Sequence, residues 1–512
     1  MFFQGVADGV ILFLGLAVIT IILNVVIRVK WGAYEYATKH VLAYTFLIFP
    51  ILFIIINKLC NILQLDTAQR SGHLLDVVEN IALNVVSNYV ILIAFALAFF
   101  FERFIKNRYE DGEKLTKDYA ALVKLYEKET NWVSAGKTVY PVFSLGEGDV
   151  CVYTKEQGLT TEGRVEIDDN KTEYRLPILI ETNFSELIKV HDSSVLYNNL
   201  NIRVVDMILA DDQFKLSTER TYYFYSMVTN RASDYDWGKD GVTVRSLYEP
   251  GPLLHTLSDS SLSNHLGFNG FLITKDNYVV FVKRSKNLSI AKRTYGDSIN
   301  ASLKTKYALN EDGEFTAEKL VEAIVHEIKD ELKIGKDQDK LKLEEENITE
   351  IHIISAYRDG LECGKPQFLF YAATDLDAKE IAKHFFAKTD ADIKKKLEGK
   401  RKRRDIKKLK DERKVIKDGS KLVWIRADLL SNLQFDIDGI KYTGEVVKDK
   451  KDFFEGFFEM KPSGERKPLK GQRLPMVPSA SASLVMFRNH LMKKEVIKQA
   501  SLSPDKTESK AT

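Results

Sequence analysis

The stretch Glu318-Lys-Leu-Val-Glu-Ala-Ile-Val-His-Glu-Ile-Lys-Asp-Glu-Leu-Lys-Ile334 constrains the fold of this chain more than any other. Wound as a helix, it carries Glu327, Asp330 and Glu331 at i, i+3 and i+4, so three carboxylates share one face. Leu320, Ala323, Ile324 and Leu332 lie on or near the opposite, apolar side. Three crowded carboxylates repel one another unless a positive charge sits among them. Hard oxygen ligands of this kind suit Mg²⁺ or Mn²⁺, with phosphate as the usual co-ligand. A solvated acidic helix face is the plainer alternative, and the flanking sequence weighs against it.

Upstream, Gly270 to Ser285 reads as two strands around a Lys275-Asp276-Asn277 turn, with a period-2 pattern at Val280 to Lys283. Downstream, Ile351 to Tyr357 and Gln367 to Ala373 read as a second strand pair, joined by a polar turn containing Gly360 and Gly364. Leu422-Val-Trp-Ile-Arg-Ala-Asp-Leu-Leu430 reads as a strand running into a turn, and Pro478 to Leu491 as a capped amphipathic helix.

This order resembles the Nudix superfamily. The family signature has a glycine, five residues, a glutamate, seven residues, then Arg-Glu-aliphatic-x-Glu-Glu-x-Gly-aliphatic. Here Glu318 and His326-Glu327-Ile328-Lys329-Asp330-Glu331-Leu332-Lys333-Ile334 match its acidic and aliphatic positions. The resemblance covers roughly residues 262–495 and implies a Nudix-like α/β/α sandwich at the C-terminus. Five departures bear on function. The box arginine is His326, which lacks the permanently charged fork. The first glycine is displaced to Gly313, and the last is Lys333. One family glutamate is Asp330. Tyr295-Gly-Asp-Ser-Ile-Asn-Ala-Ser302 lacks the usual glycine pair before the box. A box degraded in this way can bind a nucleotide while hydrolysing it poorly or not at all.

Three uncharged runs, 9–27, 41–57 and 80–101, open the chain. A bilayer core takes about twenty apolar residues per helix, so the runs predict a membrane module over residues 1–101. The first run has no basic n-region and reads as an anchor. Arg28, Lys30 and Lys39 in the first loop, and Arg103, Lys106 and Arg108 after the third run, predict a multi-pass inner-membrane protein with a cytoplasmic C-terminal part. The expected fold class is N-terminal transmembrane helices followed by cytoplasmic α+β domains. Cys60, Cys151 and Cys363 are the only cysteines and show no pairing-like spacing, which fits a reducing interior.

Residues 102–131 read as a charged helical connector, with Tyr119, Leu122, Leu125 and Tyr126 at helical spacing. Residues 132–261 alternate short β-type runs with polar turns, among them 178–180 and 221–228. They predict either a small middle domain or an N-terminal extension of the Nudix-like sheet. The Tyr222–Tyr225 cluster reads as strand packing rather than a base-stacking platform. A basic insertion at about 376–418 holds eleven Lys/Arg and two acids between Lys394 and Lys410. It reads as a solvated helix, with an anionic lipid surface or ligand as alternative partners. A net charge of +2 and the lack of a recognisable DNA-binding module speak against specific DNA recognition. Residues 496–512 read as a polar tail.

Two functions follow as expectations. The combination of membrane spans and a Nudix-like domain resembles effectors of bacterial cyclic-oligonucleotide antiphage systems. It implies a sensor that binds a nucleotide, assembles as a homo-oligomer and disrupts the bilayer in antiviral defence. The alternative is a membrane-anchored Nudix hydrolase acting on a nucleoside diphosphate-X substrate with Mg²⁺ or Mn²⁺. In that reading Glu327 is the base, Glu318, Asp330 and Glu331 hold metal, and Arg284, His326 and Glu362 contact the ligand.

Overall fold

A computed structural model describes residues 114–501, apart from 192–197, 211, 238–240, 285–293, 335–341, 388–421, 445–455, 461–464 and 470–472. The main sheet is built from β1 (Trp132–Ala135), β2 (Thr138–Thr154), β6 (Gly267–Ile273), β7 (Tyr278–Lys283), β8 (Ile299–Ser302), β9 (Ile348–Asp359), β10 (Lys365–Thr374), β11 (Leu422–Arg426), β12 (Phe457–Met460) and β13 (Arg466–Pro468). Their order is β1-β2-β9-β10-β6-β7-β11-β12-β13, with β8 paired to the start of β6. A second sheet is formed by β3 (Val165–Glu173), β4 (Leu200–Ala210) and β5 (Gln213–Tyr222), with β5 central.

The β6–β7 turn is made by Asn277, which adopts a left-handed φ of 62°, a conformation asparagine tolerates. Thr274 closes the turn by accepting the Tyr278 N–H at 2.9 Å. β10 runs parallel to β6, with Gln367 opposite Gly267, and antiparallel to β9, with Lys365 opposite Asp359. The ends marked by Gly267, Lys365 and Asp359 therefore lie together at one rim of the sheet.

Side chains divide by strand parity. Phe268, Leu272, Val280, Ile353, Phe368, Phe370 and Trp424 enter one core, together with Leu320, Ile324 and Ile328 of helix α7 (Ala317–Leu332). Phe271, Val279, Phe281, Leu369, Tyr371, Val423 and Ile425 enter the other, against Leu484, Val485 and Phe487 of helix α8 (Pro478–Ser501). Burial on both faces explains why residues 368–373 are a continuous apolar run rather than an alternating one. Gly270 leaves room for Phe370, whose ring a Cβ there would meet at 2.1 Å. The second sheet closes over the first core through Ile202, Val204, Leu209 and Phe214.

α7 begins at Thr316, whose side chain accepts the Lys319 N–H at 3.4 Å. It ends at Lys333 with a left-handed φ of 58°. That is where the Nudix resemblance expects glycine, the residue that takes this conformation without steric cost.

The expected fold class and location require correction. The described structure is a mixed, sheet-rich α+β unit. No helix among the described residues is long and apolar enough to cross a membrane. α7 has 16 residues and carries its acids, and α8 carries Lys493 and Lys494. The runs at 9–27, 41–57 and 80–101 lie outside the described residues, as does most of the basic insertion. A multi-pass inner-membrane protein with a cytoplasmic C-terminal domain thus has no support from a spanning helix.

Local expectations shift too. Of the 102–131 connector, the described helix is α1 (Tyr119–Leu125). Residues 178–180 lie in helix α2 (Ile178–Thr182), which follows Pro177 and leads into α3 (Phe184–Lys189). β5 stops at Tyr222, and Tyr223–Val228 is helix α4. Val228 packs with Ile180 and Leu187, so burial against neighbouring helices outweighs the strand propensity of the aromatic run. A further short helix, α5 (Val244–Tyr248), begins with a Thr243–Ser246 capping box. β2 pairs with β9 from Thr154 opposite Glu350 to Val142 opposite Asp359, so residues on both sides of position 262 share one sheet.

Candidate functional site

The three acids of α7 meet three different environments. Glu327 is 4% exposed, and its Oε1 accepts a hydrogen bond from Lys304 Nζ at 2.8 Å. Glu331 is half-buried; burial and the Glu327 charge push its carboxyl up to about 7. Asp330 is exposed and lies 3.7 Å from His326 Nδ1. The His326 ring stacks on Tyr307 at 3.6 Å, and burial lowers its pKa. Glu318 is exposed at the other end of α7, nine residues or about 14 Å along the helix from Glu327. It lines a groove with Asp169, Lys171 and Glu314 instead.

Lys304 immediately precedes the short helix α6 (Thr305–Ala308). Burial disfavours its charge, but the Glu327 carboxylate outweighs this and raises its pKa. Among the described residues, no three His, Cys, Asp or Glu side chains converge as a metal-ligand set. An ammonium already pairs with Oε1 of Glu327, which disfavours Mg²⁺ or Mn²⁺ at that carboxylate.

Arg284 follows the last residue of β7. Its Cδ lies where a Cβ on Gly296 would stand 3.5 Å away, so the glycine leaves the arginine stem its space. The guanidinium makes no ion pair within 4 Å among the described residues, and its Nε has no hydrogen-bond partner there. Burial and the neighbouring Arg231 charge lower its pKa, while Glu331, Asp297 and Glu362 act in the opposite direction. Asp297 is 2% exposed, and neither carboxylate oxygen has a partner. Burial pushes it well above the usual carboxylate range, against the pull of Arg284.

Behind Arg284 the sheet rim carries a buried polar network. Glu362, in the β9–β10 turn, pairs with Arg231 at 3.1 Å and Lys365 at 3.4 Å. Burial would raise the Glu362 carboxyl, but these two cations hold it below the usual range. Burial pushes Lys365 down to about 8; burial and the Glu362 charge push Asp359 up to about 7. Arg231 also donates to Tyr223 Oη at 2.6 Å. His265 Nε2 meets Ser302 Oγ at 2.9 Å, and burial, Lys365 and Arg231 keep its ring neutral. Arg231 and Lys365 are thus both paired with Glu362, whereas Arg284 pairs with no carboxylate within 4 Å among the described residues.

No protein-family model matches the chain, and no curated protein matches its sequence. Of the residues singled out from the sequence, Arg284, Glu327, Glu331 and Glu362 share one electrostatic neighbourhood. His326 and Asp330 stand beside it with Tyr307, and Glu318 is apart. Lys304, Asp297, Arg231 and Lys365 were not singled out. Asp297 lies in the segment before the box that was read only for its missing glycines. Arg231 and Lys365 come from distant segments with no motif of their own; Lys365 opens β10, and Arg231 sits in a 3-10 turn that Asn230 ties to the Glu362 carbonyl.

Proposed function

We propose that this domain is a Nudix-like receptor for a phosphorylated ligand of the nucleotide class, which it binds rather than cleaves. The observation that carries the reading is Arg284: a half-buried guanidinium with no ion pair among the described residues, in the electrostatic neighbourhood of the buried Arg231–Glu362–Lys365 network. A planar fork of donors in that state suits phosphate oxygens, which accept two parallel hydrogen bonds. The succession of strand pair, acidic helix, strand pair and closing helix supports the Nudix-like reading. Binding without cleavage is supported by the Lys304–Glu327 pair, which neutralises the acid best placed to act as a base.

Cyclic oligonucleotides belong to this ligand class, and a role in antiviral signalling would make the ligand a signal rather than a substrate. Such a signal acts only if it binds one state of the protein more tightly than another, for instance an assembled one over a dispersed one.

The test is calorimetry on the full chain with linear nucleotides, dinucleotides and cyclic oligonucleotides. Arg284→Ala should weaken binding of the best ligand by about tenfold or more, or about 1.4 kcal/mol, and Arg284→Lys should restore part of it. An unchanged affinity in Arg284→Ala, or no binding of any nucleotide, refutes the reading. Turnover of a nucleoside diphosphate-X substrate with Mg²⁺, lost in Glu327→Gln, would establish the hydrolase instead.

A further inference from the structure

The acidic face of α7 has a counter-ion of its own. Lys304 Nζ lies 2.8 Å from Glu327 Oε1, and its charge also acts on Asp330 and Glu331. The Lys304 side chain is 29% exposed, whereas that of Glu327 is nearly enclosed. An ammonium has three N–H donors. One is used on Glu327, and no other hydrogen bond of Lys304 Nζ is made among the described residues. Glu331 lies within the fields of both Lys304 and Arg284.

We infer that Lys304 is a built-in cation that takes the place of a divalent metal on the α7 carboxylates and, with Arg284, receives the phosphate oxygens of the ligand directly. The ligand class rests on the nucleotide reading above; the exclusion of metal does not.

A magnesium or manganese ion on Glu327 would sit about 2.1 Å from a carboxylate oxygen, beside the ammonium that Oε1 already holds. Two cations on one carboxylate repel in a nearly enclosed site, so the ammonium disfavours the metal there. The lysine has a further advantage. It is tethered and always present, whereas Mg²⁺ must first shed part of a tightly held water shell. A lysine can balance charge and position phosphate, but it cannot polarise a bound water as a Lewis acid does. This arrangement therefore suits a receptor that retains its ligand intact.

The direct test is Mn²⁺ binding by the full chain at neutral pH without nucleotide, read from the free-ion EPR signal. The wild type should leave the signal unchanged. Lys304→Gln should remove one equivalent of free ion, and Lys304→Gln combined with Glu327→Gln should not. Lys304→Met repeats the test with an apolar side chain should the glutamine variant fold poorly. One Mn²⁺ bound by the wild type and lost in Glu327→Gln overturns the inference, as does a folded Lys304 variant that binds none. A second arm measures nucleotide affinity of the wild type with Mg²⁺ and with chelator. Equal affinity supports metal-free binding, and a tenfold loss on chelation overturns it while leaving the nucleotide reading intact. If no nucleotide binds at all, the nucleotide reading falls and the Mn²⁺ arm still decides whether Lys304 excludes metal.

Discussion

Asp297 is a buried carboxyl whose two oxygens find no hydrogen-bond partner, close enough to Arg284 to feel its charge. Such a group costs stability whenever it is ionised. Its folded pKa lies well above the usual aspartate value, chiefly through burial. The neutral form is thus the one the fold favours, and its contribution is complete below about pH 4 and lost as pH rises through the folded value. Asp297→Asn keeps the shape and removes the titration. The variant should melt several degrees above the wild type at pH 8 and close to it at pH 4. Equal melting temperatures at pH 8 would mean that an ionised Asp297 is accommodated. The contrast with Glu362 is instructive. It is also buried, but Arg231 and Lys365 hold it ionised, so burial alone does not decide which carboxyl keeps its charge.

At the scale of elements, the last turns of α8 are fastened to the sheet by a second polar cluster, on the face opposite α7. Asp149 of β2 accepts from His352 Nδ1 at 2.5 Å and from Lys494 Nζ at 3.0 Å, with His490 Nε2 at 3.7 Å. His352 stacks on Tyr371, whose hydroxyl receives Lys494, and Glu350 lies 3.5 Å from the other ring nitrogen. Burial disfavours a charged His352, but Asp149 and Glu350 outweigh it and raise its pKa. His490 shifts the other way, because burial dominates there. A raised histidine contributes stability that is complete below about pH 6.5 and fades as pH rises through the folded value. His352→Gln should therefore cost about 1–2 kcal/mol at pH 6 and markedly less at pH 9, as read by urea unfolding. A cost equal at both pH values would assign the ring a packing role only.

Across the whole molecule, the segment before position 262 is part of the architecture that follows it. β2 covers the edge of β9 along most of its length, and Ile202, Val204, Leu209 and Phe214 complete the core above α7. A chain cut to residues 262–512 would expose the β9 edge and a broad apolar surface, both of which favour aggregation. It should run as soluble aggregate in size-exclusion chromatography with light scattering, whereas a chain beginning at 114 keeps these contacts. A well-folded monomer of 262–512 would show that the first part is only an appendage. The Arg231–Glu362 ion pair, which joins the two parts, also belongs to the candidate site, so loss of the first part should disturb ligand binding as well.

Local periodicity determined much of this protein. The helix at Ala317–Leu332, the strand pairs on either side of it and the closing helix all fall where spacing of apolar residues, turn residues and caps place them. The positions of Arg284 and Glu327 were legible for the same reason, as a strand end and a helix face. Other features depended on contacts distant in sequence. An aromatic strand-like run became helix because its neighbours bury it. A β-rich segment divided between two sheets because β9 offered β2 an edge. The acids that suggested a metal received a lysine, because β8 delivers Lys304 to the face of α7. Spacing fixes which face of an element a residue occupies, since it depends only on local geometry. Which charge meets that face is set when elements far apart in sequence pack together, as Lys304 meets Glu327 here.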